Sequence, residues 1–327
     1  MDRERLRHGR TRPHRIRGGG AALVAAALST IVLLTAVPSL GVENEIAKRI
    51  TLDPWGVTIE FRAADERVAS EVAAICSKAL PSLSHELGLA SVGPFQVFLI
   101  PDIKAYEKQV GLALPPWGVA FAFPGHRLML IDVPRAANAW NTLEKVIPHE
   151  LSHLLLAERV GSVRFPLWFM EGLAQWQAGE WSMVESWRLM ESVWGNRSPS
   201  VGRVVEYMSA NEDRARDAYR VSYAAFQYRF DEHTERLSEF LDEVVRRADF
   251  GEAFDAYWNE SEAQFYARFD EYIARKYGTP LMLFQTEPLF TLASVLFVIV
   301  VLRSWFRNRR KLKRMEEAER ERPPGWE

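Results

Sequence analysis

The sequence contains a single cysteine, Cys76, among 327 residues. One thiol cannot form an intrachain disulfide, which excludes the small disulfide-stapled folds. Cys76 ends the apolar segment Val72–Cys76, so we interpret it as a small buried apolar residue and not as a nucleophile. The sequence also lacks an internal repeat, which excludes repeat architectures. The hydrophobic fraction of 48% and the charged fraction of 26% are ordinary for a folded protein.

The sequence also lacks a net positive charge, since 41 Lys and Arg residues oppose 43 Asp and Glu residues. The basic residues are concentrated at the two ends, in residues 1–17 and in residues 303–314, so the long segment between them is acidic. An acidic domain offers no electrostatic footprint for a nucleic acid, and we expect no nucleic-acid partner. The basic tail instead predicts contact with the anionic headgroups of membrane lipid.

A first apolar stretch, Ala21–Val37, contains no charged residue and follows a basic leader at residues 1–18. Its length is near the minimum for a membrane-spanning helix and slightly long for the core of a signal peptide. Residues 19–40 are therefore predicted to be a transmembrane signal anchor or a signal peptide. Small residues at Ser39 and Gly41 would suit cleavage, so the sequence leaves both alternatives open.

A second apolar stretch begins at Pro288, and it predicts a C-terminal transmembrane helix at residues 284–306. A basic and then acidic tail at residues 307–327 follows. Because Lys and Arg remain on the cytoplasmic side of a membrane, both chain ends are predicted to be cytoplasmic. Residues 45–278 would then form an extracytoplasmic domain of a cell-membrane protein, which crosses the membrane twice, or once if the first segment is cleaved.

The predicted domain carries the motif HELSH at residues 149–153. On a helix, His149 and His153 lie one turn apart on the same face and can share one metal ion. Two imidazoles at this spacing suit Zn²⁺, and Glu150 beside them is a candidate base for a metal-bound water. A further acid, Glu171, follows on a predicted second helix. The three side chains give a His₂Glu ligand set with an open fourth position, which is typical of a catalytic zinc site.

These segments resemble a known family. The sequence PHELSHLLL at residues 148–156, followed by WFMEGLA at residues 168–174, is similar to the gluzincin clan of zinc metallopeptidases. It is closest to the group called peptidase MA-like, in which an HExxH helix precedes a W-x-x-E-G-x-A segment. The resemblance is tight over Trp117–Trp176 and looser over Asp217–Tyr277.

The resemblance implies a single Zn²⁺ per chain, with His149, His153 and Glu171 as its ligands and Glu150 as the general base. The interval to Glu171 is shorter than in the membrane aminopeptidases and in thermolysin. The substrate preferences of those two subfamilies are therefore not implied for this chain.

A metallopeptidase also uses a donor for the oxyanion of the tetrahedral intermediate, and related enzymes supply a Tyr or a His. Tyr219 and Tyr223 stand one helical turn apart in a segment where peptidase MA-like sequences carry a Tyr, and we favour Tyr223 as the catalytic residue. His126 and His233 are the weaker alternatives. Gln175 follows the third metal ligand by one turn, where its side chain is predicted to hydrogen-bond a ligand histidine.

The order of predicted elements indicates an α+β fold, in which a small mixed sheet with an edge strand precedes a mainly helical metallopeptidase domain, flanked by the two transmembrane helices. Strands are predicted at Val57–Phe61 and Phe95–Ile100 and in a hairpin around Pro124-Gly125. By the resemblance, the second hairpin strand, Arg127–Asp132, is the edge on which a peptide substrate lies antiparallel; an ordinary core hairpin fits equally well. Later helices are predicted at Met183–Trp194, Val201–Met208, Ala218–Phe230, Arg236–Ala248 and Ser261–Tyr277.

The sequence thus predicts a membrane-anchored zinc metallopeptidase that hydrolyses bonds in a peptide or protein substrate outside the cytoplasm. It leaves open whether the enzyme is an endopeptidase or an exopeptidase. The alternative from another class is a non-catalytic, membrane-anchored binding or scaffold protein that retains the fold and the zinc. Glu150 argues against this alternative, since a structural zinc site needs no base. The oligomeric state is not predicted.

Overall fold

The computed structural model describes residues 48–111, 113–116, 118–138, 140–230, 234–277 and 288–320. These residues form two compact units, with the boundary between Asp270 and Glu271. The predicted leader and the apolar segment at residues 19–40 lie outside the described residues, as does His233.

A five-stranded mixed sheet forms the first half of the first unit. Its strands are β1 (Lys48–Leu52), β2 (Val57–Phe61), β3 (Phe95–Ile100), β4 (Ala120–Phe123) and β5 (Leu128–Asp132). Their spatial order is β1-β2-β3-β5-β4. The strands β2, β3 and β5 are parallel neighbours, whereas β1 and β4 pair antiparallel at the two edges. The sheet is therefore parallel in its centre and antiparallel at its rims.

The hairpin around Pro124-Gly125 is present, but the predicted edge strand is wrong. β5 lies between β3 and β4, and β4 is the edge strand. All five residues of β5 are buried, because the strand pairs on both sides and is covered on both faces. In β4, Phe121 and Phe123 pack against a cluster that includes Phe98 and Leu130. The alternation of a strand then directs Ala120 and Ala122 to the opposite face.

Helices make up most of the remaining first unit. They are α1 (Glu66–Glu86), α2 (Ile103–Val110), α3 (Val133–Asn138), α4 (Trp140–Val160), α5 (Leu167–Gln177), α6 (Met183–Trp194), α7 (Val204–Met208), α8 (Glu212–Phe230), α9 (Thr234–Arg247), α10 (Phe250–Trp258) and α11 (Glu262–Tyr277), the last of which crosses the boundary between the units. α1 and α4 contact each other, and they pack on β1–β2 and on β4, respectively. The small side chains of β4 permit this close approach of α4. The architecture is α+β, with a mixed sheet before a helical layer.

The closest helix pair in this layer is α5 with α8. A Cβ atom at Gly172 of α5 would collide with the carbonyl oxygen of Ser222 and would lie 2.6 Å from Cβ of Phe226, both on α8. Gly172 therefore allows the two helices to touch through their backbones. Aromatic residues surround the contact, and the fully buried ones include Trp168, Phe169, Phe226 and Phe240.

We expect Gly172→Ala to lower the free energy of unfolding by about 1–3 kcal/mol, because the added methyl group meets the backbone of α8, which cannot rotate away. Chemical denaturation of the two proteins measures this difference. Gly125→Ala is the matched control, since a Cβ atom there meets no atom within 4 Å. Equal stabilities of wild type and Gly172→Ala would contradict the close packing of α5 and α8.

The second unit contains the end of α11 and the helix α12, which covers Pro288–Arg320. None of the helices in the described part of the chain has both the length and the apolar character needed to cross a membrane. The transmembrane helix predicted at residues 284–306 is therefore wrong. The uncharged run of α12 ends before Arg303, and its 15 residues from Pro288 to Leu302 reach only about 22 Å, short of the roughly 30 Å of a hydrocarbon core.

Candidate metal centre

The HELSH motif lies in the second half of α4. This helix is continuous from Trp140 to Val160, although it contains Pro148. Its apolar stripe, with Leu143, Ile147 and Leu151 among its buried members, faces the core and fixes the rotation of the helix. The same rotation places His149 and His153 on a common face, where the centroids of their rings are 5.0 Å apart.

Glu171 reaches this face from α5. Gly161 ends α4 with φ at +66° and donates its N–H to Ala157, and α5 begins after Pro166. The chain thereby reverses in a few residues and brings the carboxylate back to the histidines. Oε2 of Glu171 lies 3.3 Å from Nε2 of His149 and 3.8 Å from Nε2 of His153.

The three side chains fit a metal ion. One ligand atom from each of His149, His153 and Glu171 lies within 4.8 Å of the other two. Oε2 of Glu171 is buried and accepts no hydrogen bond in the structure. Its nearest groups are the imidazole nitrogens of His149 and His153, and a cation between the three side chains would be ligated by the carboxylate and both imidazoles. Nitrogen and carboxylate donors in this number suit Zn²⁺ with one position left open.

The electrostatics of the two histidines differ. Burial alone would lower the pKa of His149, but the carboxylates of Glu171 and Glu180 outweigh burial and raise this pKa well above its usual range. Burial lowers the pKa of His153 to about 4, so its imidazole is neutral at pH 7. Burial would raise the pKa of Glu171, yet His149 and His153 hold it below the usual value. Without a metal, His149 therefore carries the proton that a cation must displace.

We expect zinc binding to release about one proton from His149 at pH 7, because an imidazole must be deprotonated to ligate. The affinity for zinc should therefore rise as the pH is raised from about 6 to 8. Calorimetry in buffers of different ionisation enthalpy measures the released protons. The variant Glu150→Gln serves as a control, because it removes the neighbouring carboxyl group whose pKa is about 7. A zinc affinity that is independent of pH would contradict this protonation state.

Glu150 joins the motif to the sheet. Its Oε2 accepts a hydrogen bond of 2.7 Å from the N–H of Ala122 on β4. Burial raises the pKa of Glu150 to about 7, although the charge of His149 and the bond from Ala122 act in the opposite direction. The carboxyl group therefore stands beside the candidate metal position, with a pKa near that of an efficient general base.

Glu180 was missed in the sequence. Its Oε1 accepts a hydrogen bond of 2.9 Å from Nδ1 of His149, on the ring side opposite Glu171. The chain reaches it through a Schellman turn, in which Gly179 has φ at +60° and the N–H of Glu180 bonds to the carbonyl of Gln175. The sequence signal for Glu180 is a glycine directly after a helix, followed by an acidic residue.

We expect Glu180→Gln to weaken zinc binding by about 10–100-fold, because the carboxylate that orients the ligand imidazole and makes it more basic is lost. Titration with a competing zinc chelator measures the affinity. The control is Glu191→Gln, which neutralises an exposed acid on the following helix. Equal affinities of Glu180→Gln and Glu191→Gln would contradict the role assigned to Glu180.

The prediction for Gln175 is wrong. Its Nε2 donates to the backbone carbonyls of Glu171 and Tyr219, at 3.0 and 2.9 Å, and not to a ligand histidine. The side-chain amide is held instead by a carbonyl of its own helix and a carbonyl of α8. Gln175 thus joins the segment that holds Glu171 to the segment that holds Tyr219.

The two candidate tyrosines of α8 lie in different surroundings. The ring of Tyr219 stands edge-on to His149, with 6.5 Å between the centroids. The charge of Glu171, followed by burial and the charges of Glu150 and Glu180, raises the pKa of Tyr219 well above its usual range. Tyr223 stacks on Trp181 at 4.3 Å. The structure thus brings Tyr219 to the ligands, as a phenol that keeps its proton. His126 lies exposed in the β4–β5 turn.

Comparison with known proteins adds no relative. No protein-family model matches the chain, and no curated protein matches it at a significant level. The resemblance to gluzincins therefore stays a prediction from the motif residues.

Proposed function

We propose that this chain is a zinc-dependent metallopeptidase that hydrolyses bonds in a peptide or protein substrate. The observation that carries the proposal is the convergence of His149, His153 and Glu171, which each offer one ligand atom within 4.8 Å of the other two. Glu150, from the same turn of α4, adds a carboxyl group that no ligand role requires. A structural metal site has no use for such a group.

His149, His153 and Glu171 would hold the zinc ion. When bound, zinc polarises the scissile carbonyl and lowers the pKa of water to about 7. Glu150 then accepts the proton of the attacking water and delivers it to the leaving amine. Its burial favours this role, because the neutral and ionised forms of a carboxyl with a pKa of about 7 are both accessible near neutral pH. Glu180 holds the imidazole of His149 in its orientation from behind.

We further propose Tyr219 as the donor to the oxyanion. Its hydroxyl remains protonated because three carboxylates surround it, and a phenol O–H donates to a developing negative charge. Our sequence-based preference was Tyr223, one turn further along α8. Comparing Tyr219→Phe with Tyr223→Phe distinguishes the two, since only the residue that meets the oxyanion should lower the turnover number without changing zinc affinity.

The substrate would bind along the edge of β4 that does not pair with β5. The N–H of Asp132 bonds to the carbonyl of Val119, and bonded pairs alternate along an antiparallel ladder. By this alternation, Ala120 and Ala122 direct their backbone groups away from β5. Glu150 contacts this edge at Ala122. An extended peptide that adds to β4 as a strand is therefore brought to the base through main-chain hydrogen bonds.

We propose that the chain acts on its substrate outside the cytoplasm. This placement rests on the basic leader and the apolar segment at residues 19–40, which suit a targeting segment. Protease protection of an epitope placed at Ser91, an exposed loop residue, tests the placement in intact cells. Protection under conditions that leave the cytoplasm sealed would contradict it.

Cleavage of a diverse peptide library by the purified full chain tests the proposed activity. We expect about one Zn²⁺ per chain by elemental analysis, and cleavage that stops with a chelator and returns with added zinc. A zinc-loaded chain that cleaves no peptide would contradict the proposal and favour the scaffold alternative.

A further inference from the structure

A pocket of about 250 Å³ lies next to α4, beyond the metal centre. It is enclosed by the C-terminal half of α4, by the turn between β4 and β5, and by the segment that leads into β3. Its apolar lining comes from Val92, Phe95, Pro124, Leu154, Leu155 and Ala157.

Two charged residues, Arg127 and Glu158, also line the pocket, and they form an ion pair with each other. Nε of Arg127 donates in addition to the carbonyl of Pro94 at 2.7 Å. Because these two charges compensate each other, the pocket favours a neutral, apolar occupant over an ion. Its volume lies below the range of about 300–1,000 Å³ typical of sites for drug-sized molecules, and suits one large side chain.

The pocket lies along the same face of α4 as Glu150, towards the C-terminal end of β4. α4 and β4 run in the same direction from the metal centre, since Glu150 meets Ala122 and Leu154 shares the pocket with Pro124. Pro124 is two residues beyond Ala122, about 7 Å along an extended chain. Ala157 is seven residues beyond Glu150, about 10 Å along a helix. These distances equal two to three residues of an extended peptide.

We propose that this pocket binds a bulky apolar side chain of the substrate, two or three residues N-terminal to the scissile bond. The inference rests on the proposed peptidase function. The N-terminal side follows from strand direction: a peptide that pairs antiparallel with β4 has its N-terminal residues beside the C-terminal end of β4, where Pro124 and Gly125 line the pocket. The preferred side chains are those of Leu, Met, Phe and Trp.

Gly125 provides a substitution that fills the pocket and leaves the fold intact. A Cβ atom at Gly125 meets no atom within 4 Å, and Gly125 is not among the glycines with positive φ in the described chain. Gly125→Leu therefore adds a bulky side chain at a residue that lines the pocket, without backbone strain. Ser91→Leu is the matched control, because Ser91 is exposed and lies just before the pocket residue Val92. Thermal unfolding of both variants checks that they fold.

Cleavage-site profiling with the zinc-loaded full chain measures the preference. We expect peptides with Leu, Phe or Trp at the second or third position before the cleaved bond to exceed Ala peptides by roughly 10–100-fold in kcat/KM, the range for burying such a side chain. Gly125→Leu should reduce this ratio to about one, and Ser91→Leu should keep it. The proposal would be overturned if a folded Gly125→Leu variant kept the wild-type ratio of kcat/KM values. It would also be overturned if the preference for bulky apolar side chains were confined to positions C-terminal to the cleaved bond.

A binding measurement separates the pocket from the proposed activity. In zinc-loaded Glu150→Gln, fluorescence anisotropy of labelled Phe and Ala peptides reports affinity without cleavage. We expect the Phe peptide to bind more tightly, and Gly125→Leu in the same background to remove the difference. If the wild-type chain cleaves no peptide but the Phe peptide still binds more tightly than the Ala peptide, the proposed activity is contradicted and the proposed pocket is supported. Equal affinities for the two peptides would overturn the pocket, whether or not cleavage is found.

Discussion

Glu150→Gln is expected to lower the turnover number by about 10²–10⁴-fold, the usual contribution of a general base, while zinc stays bound. Glutamine keeps the size of the side chain and can still meet the N–H of Ala122 through its amide oxygen, so the contact between α4 and β4 is preserved. It loses the carboxylate that accepts the proton of the attacking water. Steady-state kinetics and elemental analysis of the same sample measure the two quantities.

The matched control is Glu144→Gln, which neutralises an exposed acid on the same helix, away from the ligands. Its turnover number should equal that of the wild type. Cleavage that persists at the wild-type rate in Glu150→Gln would place the chemistry elsewhere and refute the mechanism, whatever the metal content.

His153→Ala is expected to abolish stoichiometric zinc binding, because it removes one of three protein ligands. The imidazole of His153 is neutral at pH 7 and needs no deprotonation before it binds zinc. Raising the pH therefore cannot offset the loss of this ligand. Elemental analysis after gel filtration measures the retained zinc. Glu171→Ala should weaken binding as well, since it removes the only carboxylate of the set.

His85→Ala, on an exposed position of α1, is the matched control and should retain one zinc ion per chain. Zinc that is retained in the double variant His149→Ala/His153→Ala would refute the ligand assignment. A site that is indifferent to Glu171→Ala alone would instead point to a different third ligand.

The ligand set was accessible from the sequence for a physical reason. The spacing of His149 and His153 is a property of any helix, and the apolar residues around the motif predicted that helix. The short connection to Glu171 left few ways to arrange the second helix. The structure brings these three residues together, as the sequence predicts.

The wrong predictions concern features that depend on tertiary packing, which the sequence pattern does not encode. Which hairpin strand lies at the edge is decided by pairing with β3, a partner far away in the sequence. Even so, the unbroken apolar run of β5 was a sign of an interior strand. The position of Tyr219 depends on which face of α8 meets α5 across Gly172. Three short helices, α2, α3 and α10, were not predicted, although Asp102 caps α2 and Asp249 caps α10.

The short connection between α4 and α5 has a consequence for how the molecule folds. The three candidate ligands and Glu180 come from residues 149–180, so the contacts among them close short loops. Local contacts form early because little chain entropy is lost. The pairing of β2 with β3 spans a longer stretch, from residue 57 to residue 95. The helical pair that carries the ligands can therefore assemble before the sheet is complete, with the edge contact of Glu150 added as β4 docks.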